Sequence, residues 1–540
     1  MSEPPSTLAE ALTTSAAERA TLDFHLEEGL VSISGAELAE RAQAGARVLA
    51  SRGIGPGDTV GVLGPNRPEW AVWAWATWVA GATLVPIQIP LRVRDPAAFA
   101  EQVRSLVHTA GCRLVLADPR LLSAVDPALG VAWDEPASAP GADPVPPRPD
   151  DLAVIQFTSG STAAPKGACL SHRAVMAQMD LIDDWTPGGL GGHVMVGWVP
   201  FFHDLGLFYY VAASVLFGGR AHYLPTERFA ADPAEWLRLV TTTRASITVA
   251  PGSAIGAAIR SALRGGDPID LSSLEFMRFA AEGVDPEFVD RLLEAGGRLK
   301  LPAESLGSSY GLAEAVLGVT SMQGLHEDQV DVEAMTLSGL ARPATGGRVR
   351  RLISAGRTAL TTEVRIAQPG AGEVGERQIG EICVRGPSLM SGYVGEGAAD
   401  PFDEDGWLQT GDMGYLADDE LYVTGRIKDL MIVMGHNYYP EDFEWAAGRL
   451  DGVRAGRCVA FGSGDGEEVV LLVEPSGGGD GEELTAAVRH AVRDAVGVAP
   501  RRVVVLPPGS VEKTTSGKLR RSTMRSAYLR GDLPVPAADG

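Results

Sequence analysis

The sequence predicts an α/β fold, with a large N-terminal unit of βαβ layers and mostly parallel sheets followed by a small mobile α+β C-terminal lid. Three observations carry that expectation. Short apolar runs alternate with longer helical segments from about Ser34 onward, the rhythm of strand and crossover helix. At 540 residues and 45% hydrophobic content, the chain exceeds one simple core and has apolar material for several. After Arg426 the units shorten, dividing the chain into residues 1–426 and 427–540, the second of ordinary domain size.

The elements follow in order. Ser34 and Glu37 form a capping box that opens a helix over 36–51, and Thr59 to Leu63 reads as a strand. A helix over 69–80 and strands over 83–87 and 113–117 come next. Trp70 to Leu84 is the most membrane-like stretch, but it is too short to span a bilayer and reads as a core helix. A Pro- and Asp-rich linker, Asp134 to Asp150, leads into an apolar strand from Leu152 to Gln156. Helices over 171–183, 204–217, 232–243 and 253–264 then alternate with strands over 193–198, 220–224 and 246–249, and 275–280 is again strand-like. Beyond Arg426 come strands near 430–433, 457–462 and 467–473, a Gly-rich turn from Ser476 to Gly481 and a helix over 483–496.

Charge narrows the function classes. A formal net charge of −23 leaves no basic surplus for nucleic acid or an anionic membrane surface, so an anionic small molecule would need a local cationic pocket. Cys112, Cys169, Cys383 and Cys458 are scattered, without C-x-x-C or metal-ligand spacing, and read as reduced core thiols. The start, Met1-Ser-Glu-Pro-Pro, has neither a basic nor an apolar leader region, so a cytoplasmic protein without membrane insertion is expected.

The chemistry-bearing segment is Phe157-Thr-Ser-Gly-Ser-Thr-Ala-Ala-Pro-Lys-Gly167, directly after a strand. Glycine lets the backbone present N–H donors, Thr158, Ser159, Ser161 and Thr162 add hydroxyls, and Lys166 adds charge, so the loop reads as a phosphate cradle; the plainer reading is a solvated Ser/Thr/Gly loop. The P-loop pattern G-x-x-x-x-G-K-[ST] does not fit. Pro165 stands in place of the second glycine, and Gly167 replaces the metal-binding hydroxyl.

Four later segments stand in fixed order: Ser309-Tyr-Gly-Leu-Ala-Glu314, Thr410-Gly-Asp412, Gly425-Arg-Ile-Lys-Asp429 and Lys513-Thr-Thr-Ser-Gly-Lys518. With the Thr158 loop they resemble the motifs of the adenylate-forming superfamily of acyl-CoA synthetases, nonribosomal-peptide adenylation domains and luciferases. The resemblance implies that Thr158, Ser159, Gly160, Ser161, Thr162, Lys166 and Gly167 hold ATP phosphates. It also implies that Tyr310 and Gly311 meet the adenine, Glu314 helps hold Mg2+, and Asp412 and Arg426 grip the ribose. Lys428 becomes the hinge and Lys518 the lysine that enters the site for adenylation. Ala281-Glu282 matches the segment that wraps the adenine, although Gly283 replaces the family's usual proline.

Two other segments offer competing sites. Gly307-Ser-Ser-Tyr-Gly311 matches the hydrolase elbow G-x-S-x-G, but His326, His436 and His490 lack a convincing triad setting, and a thioesterase would leave the Thr158 and Lys518 loops unexplained. His203-Asp204 could be a dyad, yet adjacent side chains usually point apart. The resemblance instead puts His203 beside the carboxylate pocket, favouring negative charge.

Phe201-Phe-His-Asp-Leu-Gly-Leu207 and Asn437-Tyr-Tyr-Pro440 look most like fatty acyl-AMP ligases. The long polar segment from His326 to Arg350 resembles the insertion of that branch, the alternative being a variable surface loop. The implied reaction joins a fatty or other carboxylic acid to ATP and then loads an acyl-carrier protein acting in trans, in polyketide or nonribosomal-peptide biosynthesis. An acyl-CoA or aryl-CoA ligase and a standalone amino-acid adenylation enzyme are the alternatives. An inactive scaffold fits poorly with an intact loop, Glu314, Asp412 and Lys518. The chain departs from the branch at Gly252-Ser253, Met434, His436 and Tyr209-Tyr210; bulky tyrosines near the acyl pocket are expected to shorten it.

Overall fold

A computed structural model describes residues 4–91, 93, 95–134, 142–157, 166–266, 268–359, 361–368, 372–395, 397, 399–463, 468–477, 481–514 and 517–534. Its larger part holds two mainly parallel sheets. In the seven-stranded sheet, Leu152–Phe157, Thr83–Pro86, Thr59–Leu63, Leu114–Ala117 and Gly130–Ala132 lie side by side in that order, all parallel; Gly167–Ser171 returns antiparallel against Leu152–Phe157. In the nine-stranded sheet, six strands from Thr21–Leu26 to Leu306–Tyr310 run parallel, with antiparallel strands at both edges. A third sheet, of five antiparallel strands ending with Leu408–Ala417 and Glu420–Arg426, departs from the parallel expectation.

Local chemistry places many of these elements. Ser34 accepts the Glu37 N–H at 3.1 Å and opens the helix Gly35–Ser51. Pro68 starts the Trp-rich helix Pro68–Val79, whose tryptophans are all buried, so it is a core helix. Asp95 and Pro96 start a further helix, Pro96–Thr109, which the sequence reading did not include. Among the described residues, no helix is long and apolar enough to cross a membrane.

The helix expected over 204–217 is instead wound as a π-helix over Leu205–Ala213 before closing normally at Ser214–Leu216. Such winding is rare and clusters at functional sites. It carries Tyr210 under Gly197, where a Cβ would come within 2.5 Å of the tyrosine ring. Strands Val194–Gly197 and Ile247–Ala250 pair only at Met195 and Ile247, and the Tyr210 hydroxyl bridges their gap. It donates to Val249 O (3.0 Å) or Val196 O (3.2 Å) and accepts from Val249 N (2.8 Å). Tyr210 is therefore a core strut, and of the two tyrosines only Tyr209 is left to limit an acyl pocket. Tyr210→Phe, which strands the Val249 N–H, is expected to lower stability by about 1–3 kcal/mol in urea unfolding. A change within a few tenths of a kcal/mol would contradict that role.

After Arg426 a three-stranded sheet forms from Val453–Gly462, Val469–Pro475 and Arg502–Val505, with helices Pro440–Gly448 and Gly481–Val496 sharing its core. The strand Arg502–Val505 and the helix Arg521–Arg530 were not expected from sequence. The segment from His326 is no irregular loop. Glu327–Asp331 pairs antiparallel with Val349–Ile353 around a helix, Val332–Ser338, and Val330, Met335 and Leu352 share a core with Tyr415, Tyr422 and Tyr439.

Candidate active site

Ala281-Glu282 and Gly311 follow the carboxyl ends of the parallel strands Phe276–Phe279 and Leu306–Tyr310, where α/β sheets bind ligands. Thr158, Ser159, Gly160, Ser161 and Thr162 lie outside the described residues. The flanks of their loop are described: Phe157 pairs antiparallel with Gly167. Lys166 stands 5.9 Å from the centroid of the Tyr393 ring, and the Tyr393 hydroxyl donates to Glu314 Oε1 at 2.6 Å. Burial and the Glu314 charge push the Tyr393 phenol up, so it stays a neutral donor.

Tyr310, Asp412 and Arg426 form one connected group. The Tyr310 hydroxyl donates to Asp412 Oδ2 at 2.8 Å, and Arg426 Nε lies 2.9 Å from Oδ1. Burial, then the Asp412 charge, raises the Tyr310 phenol well above its ordinary range, and Asp412 raises Arg426 further. Asp412 is buried within strand Leu408–Ala417, at a register irregularity where Gly411 has φ +71 and gives its N–H to Glu381 at 2.9 Å. Gly311 is required sterically, because a Cβ there would sit 1.8 Å from Leu317 O.

Ala281 has φ +69, an unusual conformation for a residue with a Cβ, at the bend that carries Glu282. Glu282 accepts the Ser253 N–H at 3.2 Å and its hydroxyl at 3.0 Å. The C-terminal lysine loop reaches the same place: a Cβ on Gly517 would lie 3.6 Å from Glu282 Oε1 and from Ser253 Oγ. Thr514 clasps the loop by accepting the Lys518 N–H at its hydroxyl (3.0 Å) while its own N–H bonds Lys518 O (2.8 Å).

Lys518 comes close enough for its charge to act on His203 and Asp204. Enclosure, then Lys518, lowers His203 to about 3, and burial pushes the Asp204 carboxyl up with Lys518 opposing. His203 is a neutral imidazole near pH 7, so the positive charge that favours an anion here comes from Lys518. Asp204 Oδ1 accepts the Leu205 N–H at 2.7 Å, capping the helix rather than forming a dyad with His203. The hydrolase reading also fails on geometry, since Ser309 lies within the paired strand Leu306–Tyr310 and donates to Phe279 O at 3.1 Å. Lys428 lies in a single turn, Ile427–Asp429, directly after the five-stranded sheet, and burial followed by Arg426 lowers its amine.

Residues 10–394 match the AMP-binding enzyme family. The chain belongs to that family. Among relatives of this AMP-binding enzyme, the ligase Rv1013 of Mycobacterium tuberculosis is 36% identical over 506 residues, spanning 90% of this chain and 93% of its own length. A structure from studies of fatty acyl-adenylate ligases of E. coli and L. pneumophila superposes with a TM-score of 0.90 at 30% identity, covering 98% of both chains. A crystal structure of the L. pneumophila fatty acyl-adenylate ligase in complex with acyl adenylate and pyrophosphate gives a TM-score of 0.75 at 25% identity, covering 98% of this chain and 97% of that one. The α/β fold with a large N-terminal and a small C-terminal part is thus the family's own.

Sequence reasoning missed several partners in this AMP-binding enzyme. Tyr393 sits in a short Ser-Gly-Tyr-Val segment with no catalytic pattern, and Glu381 bears no motif. Ser253 was visible only as a departure from the family pattern; its contact with Glu282 gives that departure a structural role.

Proposed function

We propose that this chain joins a fatty or related carboxylic acid to ATP, releasing pyrophosphate and forming acyl-AMP, and then passes the acyl group to a carrier protein in trans. The observation that carries the reading is the seating of the Lys518 loop against Glu282 and Ser253, together with the connected Tyr310, Asp412 and Arg426 group. Lys166, Gly167 and the preceding loop would hold phosphates, Ala281, Glu282, Tyr310 and Gly311 would enclose the adenine, and Asp412 with Arg426 would take the ribose hydroxyls. ATP as co-substrate fits a cytoplasmic setting.

Glu314 suits Mg2+ carried on ATP. One of its carboxylate oxygens is engaged by Tyr393, and Mg2+ typically binds through one or two carboxylates plus substrate phosphates. Among the described residues, no group of three or more His, Cys, Asp or Glu could hold a metal alone. When bound, the ion would neutralise phosphate charge.

In the reaction, a carboxylate oxygen bonds the α-phosphorus while the bond to pyrophosphate breaks. Negative charge grows on phosphoryl oxygens, so the protein acts mainly by position and by fixed donors: Lys166 on the leaving side, Lys518 near the carboxylate, and neutral His203 as a donor beside it. The two half-reactions need different lid positions, with 1–426 as the body, 427–540 as the lid and Lys428 as the hinge.

The carrier reading is supported by how the 326–350 segment meets the lid. Arg350 Nε lies 2.8 Å from Asp442 Oδ1 and its guanidinium is 4.6 Å from the Tyr439 ring centroid, while Arg348 sits against Gly497. Arg449 adds bonds to Asp285 (3.0 Å) and Glu287 (2.7 Å). A lid held this way would turn to accept a thiol only when a protein partner supplies binding energy. Pyrophosphate release with a panel of acids, run with free CoA and with a holo-carrier, tests the proposal. Acyl-AMP formation with poor transfer to CoA and good transfer to the carrier is expected. Rapid acyl-CoA formation would place the enzyme with the CoA ligases.

Tyr209 sets an expected chain-length limit. Each buried methylene contributes about 0.8 kcal/mol, roughly fourfold in kcat/KM, so Tyr209→Gly should move the optimum to longer acids. An unchanged optimum would remove Tyr209 from the pocket.

A further inference from the structure

Among the described residues, no counter-charge meets the buried Arg278. It is the penultimate residue of strand Phe276–Phe279, only 5% exposed, and it lies on the sheet face covered by the π-helix and the helix His172–Asp184. One Nη2–H donates to Trp185 O at 3.1 Å, and the guanidinium stacks 4.7 Å from the Phe276 ring centroid. Among the described residues no carboxylate pairs with it, and its buried Nε has no acceptor. Tyr209, its phenolic neighbour, is held neutral by burial, so it supplies no counter-charge.

A second idle donor stands on helix His172–Asp184, whose end carries Trp185. Gln178 is fully buried; its Oε1 accepts the Gly318 N–H at 3.1 Å, but its Nε2 has no acceptor. Gly318 joins the two groups, since a Cβ there would lie 2.8 Å from the Trp185 ring and 3.6 Å from Gln178 Nε2. Buried donors are nearly always satisfied, and a buried cation without a partner is rarer still. Two such donors around Trp185 describe a place that expects oxygen.

The cluster belongs to the elements that build the active site. Strand Phe276–Phe279 runs straight into Ala281-Glu282, and at strand rise Arg278 lies about 10 Å deeper than Ala281. The π-helix that brings Tyr209 begins beside His203, and Gly318 follows the Tyr310–Glu314 segment. A carboxylic acid whose reacting end lies at His203 and Lys518 would point its other end along this face.

We infer that the acid activated here carries an anionic or hydrogen-bond-accepting oxygen at its far end, received by Arg278 with help from Gln178 and Tyr209. The inference rests on the adenylating reading and narrows its substrate class. A distal carboxylate would neutralise the guanidinium; a distal hydroxyl or carbonyl oxygen would satisfy its open donor. A site built to bond an oxygen rejects analogues that lack it, because its own donors are then left unpaired.

The test is acid-dependent pyrophosphate release with three series of equal chain lengths: methyl-terminated monocarboxylic acids, ω-hydroxy acids and α,ω-dicarboxylic acids. At one length, the wild-type enzyme should prefer an oxygen-terminated acid over its methyl-terminated match by about tenfold or more in kcat/KM. Whether the hydroxy or the dicarboxylic series leads distinguishes a hydrogen-bonding from an anionic end. Arg278→Met should reverse that ratio, and Arg278→Lys should restore part of the preference for the dicarboxylic series. A wild-type enzyme that prefers the methyl-terminated acid at every length overturns the inference without any variant and leaves the adenylating reading intact. Absence of pyrophosphate release with all three series would instead overturn the adenylating reading, and the inference with it.

Discussion

Replacing Lys518 by alanine is expected to slow acyl-AMP formation by about 10²–10³-fold while leaving transfer from preformed acyl-AMP near the wild-type rate. The ammonium reaches the site through a loop clasped by Thr514 and seated beside Glu282 and Ser253. It is the cation whose field is felt at His203, a residue enclosed enough to stay neutral. Without it, charge developing between carboxylate and phosphate loses its nearest fixed cation from the lid. Transfer requires the lid to turn away, so the same substitution should spare that half-reaction. Single-turnover assays of each half-reaction separate the two, and wild-type pyrophosphate release by Lys518→Ala would remove the residue from this role.

Arg350→Ala is expected to raise acyl transfer to free CoA by about tenfold or more. In the wild-type protein the buried Arg350 faces the Asp442 carboxylate and the Tyr439 ring. Its loss leaves that carboxylate enclosed without its partner, which penalises the docked lid. Breaking a fully buried pair is worth about 3–5 kcal/mol, and even about 1.4 kcal/mol would shift the lid equilibrium tenfold. Burial already pushes Asp442 up to about 6, with Arg350 opposing. The docked lid thus binds a proton more tightly than the released lid, and docking strengthens as pH falls through about 6 toward the ordinary carboxylate range near 4. In Arg350→Ala, limited proteolysis at the 427–430 turn should accordingly slow as pH is lowered from 8 to 6. Unchanged CoA transfer and pH-independent proteolysis would reduce the 326–350 segment to a passive hairpin.

Much of the fold was legible because local chemistry decides it. Thr59–Leu63 is an apolar β-rich run between turns, and Ser34 caps its helix by the hydroxyl that the pattern anticipates. The π-winding of Leu205–Ala213 was not legible, since an apolar run fixes burial and not the hydrogen-bond step. The strand and helix within the 326–350 segment were not legible because its polar residues are used in ion pairs: Arg342 with Asp331, and Glu327 with Arg351 just beyond it. Within the site, Tyr310, Asp412 and Arg426 stood out through motif order, and the structure bonds them to one another. Tyr393 and Glu314 are 79 residues apart, and no spacing rule links them. Arg278 was passed over for a related reason: an arginine in a strand reads as an edge or surface residue until its burial is known.

The most direct test of the central claim is acid-dependent exchange of labelled pyrophosphate into ATP, with the nucleotide product identified when exchange is driven forward. The account predicts exchange that requires a carboxylic acid, yields AMP, and collapses in Lys518→Ala. ADP and phosphate as products, or no exchange with methyl-, hydroxyl- or carboxyl-terminated acids, would contradict it.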